Sequence, residues 1–233
     1  MKLRQQLRRW HIWLGWIVAL PFLAWTVSGL VMVAKPIEEV RGEDLIAEAP
    51  PLPLGLVPVP PAIGPRPVAS LKLEARADGP RWIVRYQDGE SRRADPRDGR
   101  LLPPLGAAEA ARELAARYAG KGSIRAIDRI SRDAPPIDLR RPIDAWRVTM
   151  TDGTRFYLDA ATGEIVARRT RWWRVYDWMW GLHIMDLETR EDTHNPLVIG
   201  FGILGLATTL MALVMLPLTI RRRRGAEGPS ERV

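Results

Sequence analysis

Three histidines, His11, His183 and His194, are the side chains of this sequence best suited to hold a cofactor, because cysteine is absent. Without cysteine there are no disulfides, thiolate zinc sites, iron–sulfur clusters or thiol nucleophiles. Two imidazoles at one depth on facing helices would ligate a haem. His11 opens one end of a long uncharged run, whereas His183 and His194 lie toward the far end of the chain's membrane path. One chain therefore does not bring His11 and His183 to one haem, but a homodimer pairs each with its own mate. The competing reading makes them polar rings among interfacial tryptophans, and it is the more economical. An ionisable group in or beside a span still marks a site by default. His11 and His183 thus stand as cofactor-binding candidates, as axial ligands to haem b.

The other chemistry-bearing residues read as structural. Asp186, Glu188, Glu191, Asp192 and His194 crowd one loop, but nothing fixes their geometry for a metal, so they read as solvated charges. In His194-Asn195-Pro196, Asn195 is placed to cap a helix that Pro196 begins. There is no nucleophile–base triad spacing, phosphate loop or His-Glu-x-x-His. No catalytic residue is assigned, no metal site is expected, and the chain reads as a non-enzyme.

The elements that position these residues start with Trp10–Ala34, a run free of Asp, Glu, Lys and Arg. As a helix rising ~1.5 Å per residue it is long enough to cross a ~30 Å hydrocarbon layer. Trp10, Trp13 and Trp16 cluster at its basic end, where Trp favours the headgroup zone. It is too long for a cleavable signal peptide and reads as an uncleaved anchor. A second uncharged run, residues 197–220, ends at Arg221–Arg224. The net charge of +8 comes almost wholly from the two ends, while residues 35–195 are nearly balanced. Basic ends outside both spans place both termini in the cytoplasm and export residues 35–195. The same distribution argues against nucleic acid, whose binders concentrate charge on a folded surface. Small residues four apart, Gly15/Ala19 and Ala24/Ser28, allow another helix to approach, which makes a homodimer through the spans a candidate assembly.

The exported part contains a repeat. Trp82, Val84, Asp88, Gly89, Asp95 and Gly99 recur as Trp146, Val148, Asp152, Gly153, Asp159 and Gly163, each 64 residues on. Asp-Gly between alternating segments is a two-residue hairpin signal, and the second Asp and Gly close an Asx-type bend. These eight aspartates and glycines are read as structural turn residues, and each copy as a meander of three antiparallel strands. Between the copies, Gly106 to Gly120 carries Ala110, Ala111, Leu114 and Tyr118 at helical spacing, followed by a strand over 123–130. In the first copy the place of that helix is taken by residues 50–67, which hold eight prolines and read as an extended linker. The expected organisation is a cytoplasmic basic head (1–9), a first span (10–34), a Pro-rich linker (35–67) and a tandem domain (68–170). An interfacial amphipathic helix (171–187), a loop (188–196), a second span (197–220) and a cytoplasmic tail (221–233), read as disordered after Arg224, complete it. The fold class is α+β: an antiparallel-sheet module with one helix, inserted between two transmembrane helices.

With these residues in view the chain resembles PepSY-associated membrane proteins. Arg9-Trp10-His11-Ile12-Trp13-Leu14-Gly15, running to Ser28-Gly29-Leu30, is similar to their first transmembrane helix. The hairpin Trp146–Ala167 resembles the closing strands of a PepSY domain, and Leu182-His183 the Leu-His before a later span. The resemblance implies a bacterial inner-membrane protein with a periplasmic PepSY region. Its first implied role is an accessory subunit of a membrane complex, whose exported domain binds a protein or peptide. The second is a haem-binding conduit for ferric-siderophore reduction in iron uptake, from which two spans instead of four depart. The third is a membrane-tethered peptidase inhibitor. In each case the remaining contact is membrane lipid.

Overall fold

The computed structural model describes residues 2–226. The chain starts with α1 (Lys2–Met32), α2 (Ile37–Arg41) and a 3-10 turn at Glu43–Leu45. Four strands follow, β1 (Val68–Arg76), β2 (Gly79–Tyr86), β3 (Ser91–Ala94) and β4 (Leu101–Leu102), then α3 (Ala107–Arg117). Four more strands, β5 (Ile124–Ile130), β6 (Ala145–Met150), β7 (Arg155–Asp159) and β8 (Ile165–Arg169), lead to α4 (Arg171–His183) and α5 (Pro196–Ala226). Two compact units result, one from Met1–Ala34 with Tyr176–Val233, the other from Lys35–Val175. The part of the tail reading that covers 227–233 falls outside the described residues.

In the helical unit, Gln5–Met32 and Pro196–Pro217 are long and apolar enough to cross a membrane, and hardly any of their surface is buried by the protein. The helix of the first span starts at Lys2, not Trp10, because the basic head contains no helix breaker and good helix formers. α4 stops at His183, four residues short of the expected end. Met185 takes φ 57°, its N–H donates to the Leu182 carbonyl, and the Asp186 N–H reaches back to Gly181. That is a Schellman end without its usual glycine, which is why the sequence does not announce it. α5 begins at Pro196, with the Asn195 Oδ1 accepting the N–H groups of Leu197 and Val198 at 3.1 Å.

The sheet unit holds two four-stranded antiparallel sheets, β1-β2-β3-β4 and β5-β6-β7-β8. Each copy is thus a four-stranded meander, one strand more than the repeat predicts. The extra strands belong to the duplication as well. Val68 pairs with Tyr86 and Ile124 with Met150, and each pairing is followed by the same bulge, to Ser70↔Arg85 and Ala126↔Thr149. Tyr86 and Met150 keep the offset of 64, but Val68 and Ile124 are 56 apart, because eight more residues lie between the paired positions of the second copy.

The two faces of the second sheet are covered differently. α3 packs on one, where Ala110 and Leu114 meet Val148, Met150, Phe156 and Leu158. The Glu109 carboxylate accepts the Gly106 N–H at 2.8 Å and so starts the helix. The long β5–β6 connection folds over the other face and buries Leu139 against Ala145, Tyr157 and Ala167. Residues one apart along a strand serve opposite cores, as the pleat requires.

The Pro-rich stretch stands where the lead-in to α3 stands in the second copy. The Val59 N–H donates to Pro96 and the Leu105 N–H to Ala160, both at 2.7 Å. The Trp82 indole N–H donates to the Val59 carbonyl and the Trp146 indole to that of Leu105, both at 2.8 Å. Gly99 is needed here twice over. Its φ is +72°, and a Cβ would sit 2.3 Å from the Pro60 oxygen. The segment expected to be linker from residue 35 is structured at its start. Val40 is fully buried, Ile46 bridges to Tyr118, and Leu45 and Ile46 pack against the α3 core. Their apolar side chains bring the start of the compact unit forward to Lys35.

Leu114→Ala should destabilise the sheet unit by about 2–5 kcal/mol through a core cavity. Trp82→Phe and Trp146→Phe should each cost about 1 kcal/mol, the worth of one hydrogen bond. Chemical denaturation of the full chain in detergent, followed by circular dichroism, measures all three. Unequal losses for the two tryptophans would contradict their equivalent roles.

Candidate functional site

The site begins with the packing of α1 on α5 within the helical unit. The less exposed positions of α1 are Leu7, His11, Leu14, Val18 and Pro21, with Ser28 one heptad further on; those of α5 include Val198, Phe201, Gly205, Thr208, Ala212 and Met215. Both sets alternate steps of three and four, the period of a left-handed helix pair. Clefts of ≈ 420 Å³ and ≈ 500 Å³ border this seam. Gly15, Ala19, Gly202 and Thr209 help line the first, and Ile17, Ala24, Leu182 and Leu204 the second.

His11 lies on the seam, and its Nδ1 is buried without a hydrogen-bond partner. His183, at the end of α4, is docked on α1 instead. Its Nδ1 is 3.0 Å from the Ser28 hydroxyl oxygen and 3.1 Å from the Trp25 carbonyl oxygen. The ring stacks on Trp25 with centroids 4.6 Å apart and planes 21° apart. The Ser28 hydroxyl itself donates to the Trp25 carbonyl at 2.9 Å. A carbonyl can only accept, so the Trp25 contact is a hydrogen bond when Nδ1 carries a proton, and in the neutral ring Nε2 then holds the lone pair. Gly29 makes the approach feasible, since a Cβ there would lie 3.3 Å from the ring's Cε1.

The spacing of the two rings follows from α1. Seventeen residues separate His11 from Ser28, about 26 Å of helix at 1.5 Å per residue. The structure does not bring His11 and His183 together. His194 joins neither: it lies in the loop before α5, its backbone N–H donating to Asp192 at 2.8 Å.

The acidic loop is occupied by its own backbone. Asp186 accepts the N–H groups of Glu188, Thr189, Glu191 and Asp192 at 3.0–3.2 Å, together with the Thr189 hydroxyl. These bonds hold its carboxyl well below the ordinary carboxylate range, the Thr189 hydroxyl having the largest effect. No metal-binding cluster of three or more His, Cys, Asp or Glu occurs among the described residues. Asp177 pairs with Arg190 at 2.6 Å, both largely buried. Gly181 lets that loop cross α4, because a Cβ would meet Arg190 and the Asp186 carbonyl at 2.8 Å. The repeat's aspartates and glycines lie in turns of the sheet unit. Gly89, Gly99, Gly153 and Gly163 all have positive φ, and Asp88, Asp95, Asp152 and Asp159 each accept the N–H two residues on.

Sequence reasoning treated Ser28 as a small packing residue, had Gly29 only as part of the family resemblance, and missed Trp25 and the Asp177–Arg190 pair. The heptad spacing of His11 was present to be read. The partnership of Ser28 with a residue 155 positions away was not.

The family described as PepSY-associated TM region matches residues 1–223. No curated protein and no solved structure matches the chain.

Nitrogen-15 NMR of the histidine-labelled chain in detergent should find His183 in the Nδ1–H tautomer. Gly29→Leu should displace the ring and return it to a tautomer mixture. A wild-type His183 protonated on Nε2 would refute the assignment.

Proposed function

The chain belongs to the PepSY-associated TM family, and we propose on that premise that it is a haem-carrying subunit of a larger membrane complex. The observation that supports this is the state of His183. A histidine whose Nδ1–H is held by a backbone carbonyl has its ring oriented, the usual arrangement of a metal-ligating imidazole. His183 would ligate through Nε2, with Trp25 and Ser28 fixing the ring. His11, with a buried and unpartnered ring nitrogen, is the matching group at the other level of the span. These donors fit a haem's axial positions. One chain offers one imidazole per level, so the second ligand comes from another chain, the simplest being a second copy. When bound, haem supplies one-electron transfer, and two levels about 26 Å apart suit passage between the membrane faces, as in ferric-siderophore reduction. The basic ends support an orientation in a bacterial inner membrane with the termini in the cytoplasm and the sheet unit in the periplasm.

A second reading, a docking role for the exported domain, is favoured by β5. This seven-residue edge strand is mostly exposed and pairs only with β6. A peptide could add to its free edge as a further strand.

The full chain, expressed with haem supply and purified in detergent, should show a Soret band. His183→Ala and His11→Ala should each remove about half of it, with the chain still inserted. A colourless wild-type protein would end the haem reading. For the docking role, a photo-crosslinking residue at Arg125 should capture a discrete partner in cells, and one at Arg97 in the β3–β4 turn should not. Equal capture at both positions would count against the β5 edge.

A further inference from the structure

Between Glu164 and Asp177 the chain carries Arg168, Arg169, Arg171 and Arg174 and no acid. The fold adds to this excess. Arg171 and Arg174 lie against the β6–β7 turn, where a Cβ on Gly153 would be 3.7 Å from the Arg171 Cγ and 3.6 Å from an Arg174 guanidinium nitrogen. Arg140 and Arg169 stand over the Trp173 ring at 5.9 and 4.1 Å. Of the buried carboxylates, Asp138 is engaged by the Tyr157 hydroxyl at 2.7 Å and Arg155 at 3.1 Å, and Asp177 by Arg190 at 2.6 Å. The Arg174 pKa is lowered, by burial first and then by repulsion from Arg155. The first turn of α4 contains no acidic residue, so its N-terminal N–H groups add positive potential to that of the arginines.

Two observations say what such a surface meets. The Trp172 indole N–H is buried and has no partner. The same ring has the Lys35 ammonium 5.7 Å from its centroid. Lys35 is three residues beyond Met32, where the first candidate span ends. At ~3.5 Å per residue it is at most ~10 Å of chain from that end. A Trp-bearing cationic surface at this depth lies among lipid headgroups.

We propose that Arg171 and Arg174, flanked by Trp172, bind the phosphate headgroup of an acidic phospholipid in the leaflet next to the sheet unit. Guanidinium groups match phosphate oxygens in paired hydrogen bonds. The backbone N–H groups of Arg171 and Trp172 add donors of the same polarity, that of Trp173 being held by the Thr170 hydroxyl at 2.9 Å. The inference goes beyond the haem reading and is independent of it.

The test reconstitutes the full chain in phosphatidylcholine nanodiscs containing either brominated phosphatidylglycerol or brominated phosphatidylcholine, and measures quenching of tryptophan fluorescence. Phosphatidylglycerol should be enriched near the chain roughly fivefold for each arginine engaged, and so quench more strongly. The excess should shrink at 1 M salt, where the screening length is ~3 Å. Arg171→Gln, at an exposed residue, should reduce it, R171Q/R174Q should remove most of it, and R171K/R174K, which keeps the charge without the paired bonds, should keep part of it. Equal quenching by the two lipids would overturn the proposal. So would an excess unchanged in R171Q and in R171Q/R174Q, because the cytoplasmic arginines would then be its source.

Discussion

An unpaired backbone polar group costs several kcal/mol in the core of a bilayer, and the helical unit is organised around that cost. α1 and α5 satisfy their backbones internally, and their hydroxyls turn back on them. Thr26, Thr208 and Thr209 each donate to the carbonyl four residues earlier, and Ser28 donates to Trp25 three earlier. A polar side chain entering from elsewhere must find a partner among these groups. His183 does so at Ser28 and Trp25, the one place where Gly29 leaves room. The bond that satisfies the histidine also orients its ring, so a packing requirement fixes which nitrogen faces Trp25.

A different constraint governs the sheet unit. Its two copies meet partly through charge. Arg76 and Glu113, both nearly buried, are 3.6 Å apart, and Glu113 also accepts the Ala77 N–H at 2.9 Å. Coulomb attraction at that distance is about 4–5 kcal/mol with an effective dielectric of 20. Desolvating two ions costs several kcal/mol each, so the pair adds little net stability. What it adds is specificity: α3 lies in one orientation between its apolar contacts on the second sheet and the arginines of the first. Arg93 follows the same logic, near Glu109 at 3.8 Å and donating to the Pro103 carbonyl at 3.0 Å. Burial in this crowd lowers its pKa.

The duplication was only half legible. Trp82/Trp146 through Gly99/Gly163 repeat without a gap because hairpin turns leave no room for insertion. β5 was expected as a strand over 123–130, but β1 and its kinship with β5 escaped notice because an insertion in the β5–β6 connection shifts their offset from 64 to 56. That insertion proved structural, since it covers the second face of its sheet with Leu139 and Asp138. The Pro-rich stretch was read correctly as non-helical, yet residues 35–47 were more ordered than their composition suggested, because Leu45 and Ile46 find an apolar surface on α3.

The spans, the α+β class, the Asp-Gly turns and the Asn195 cap were determined by sequence alone. Each depends on chemistry within a few residues, or on a solvent that acts uniformly along a run. The tertiary structure decided what the histidines are. His11 and His183 look alike in sequence, as imidazoles beside tryptophans at the ends of spans. Only the fold buries one on a helix seam without a partner and fixes the other to a carbonyl 158 residues away. Such contacts join distant parts of the chain through shape, and no local pattern encodes them.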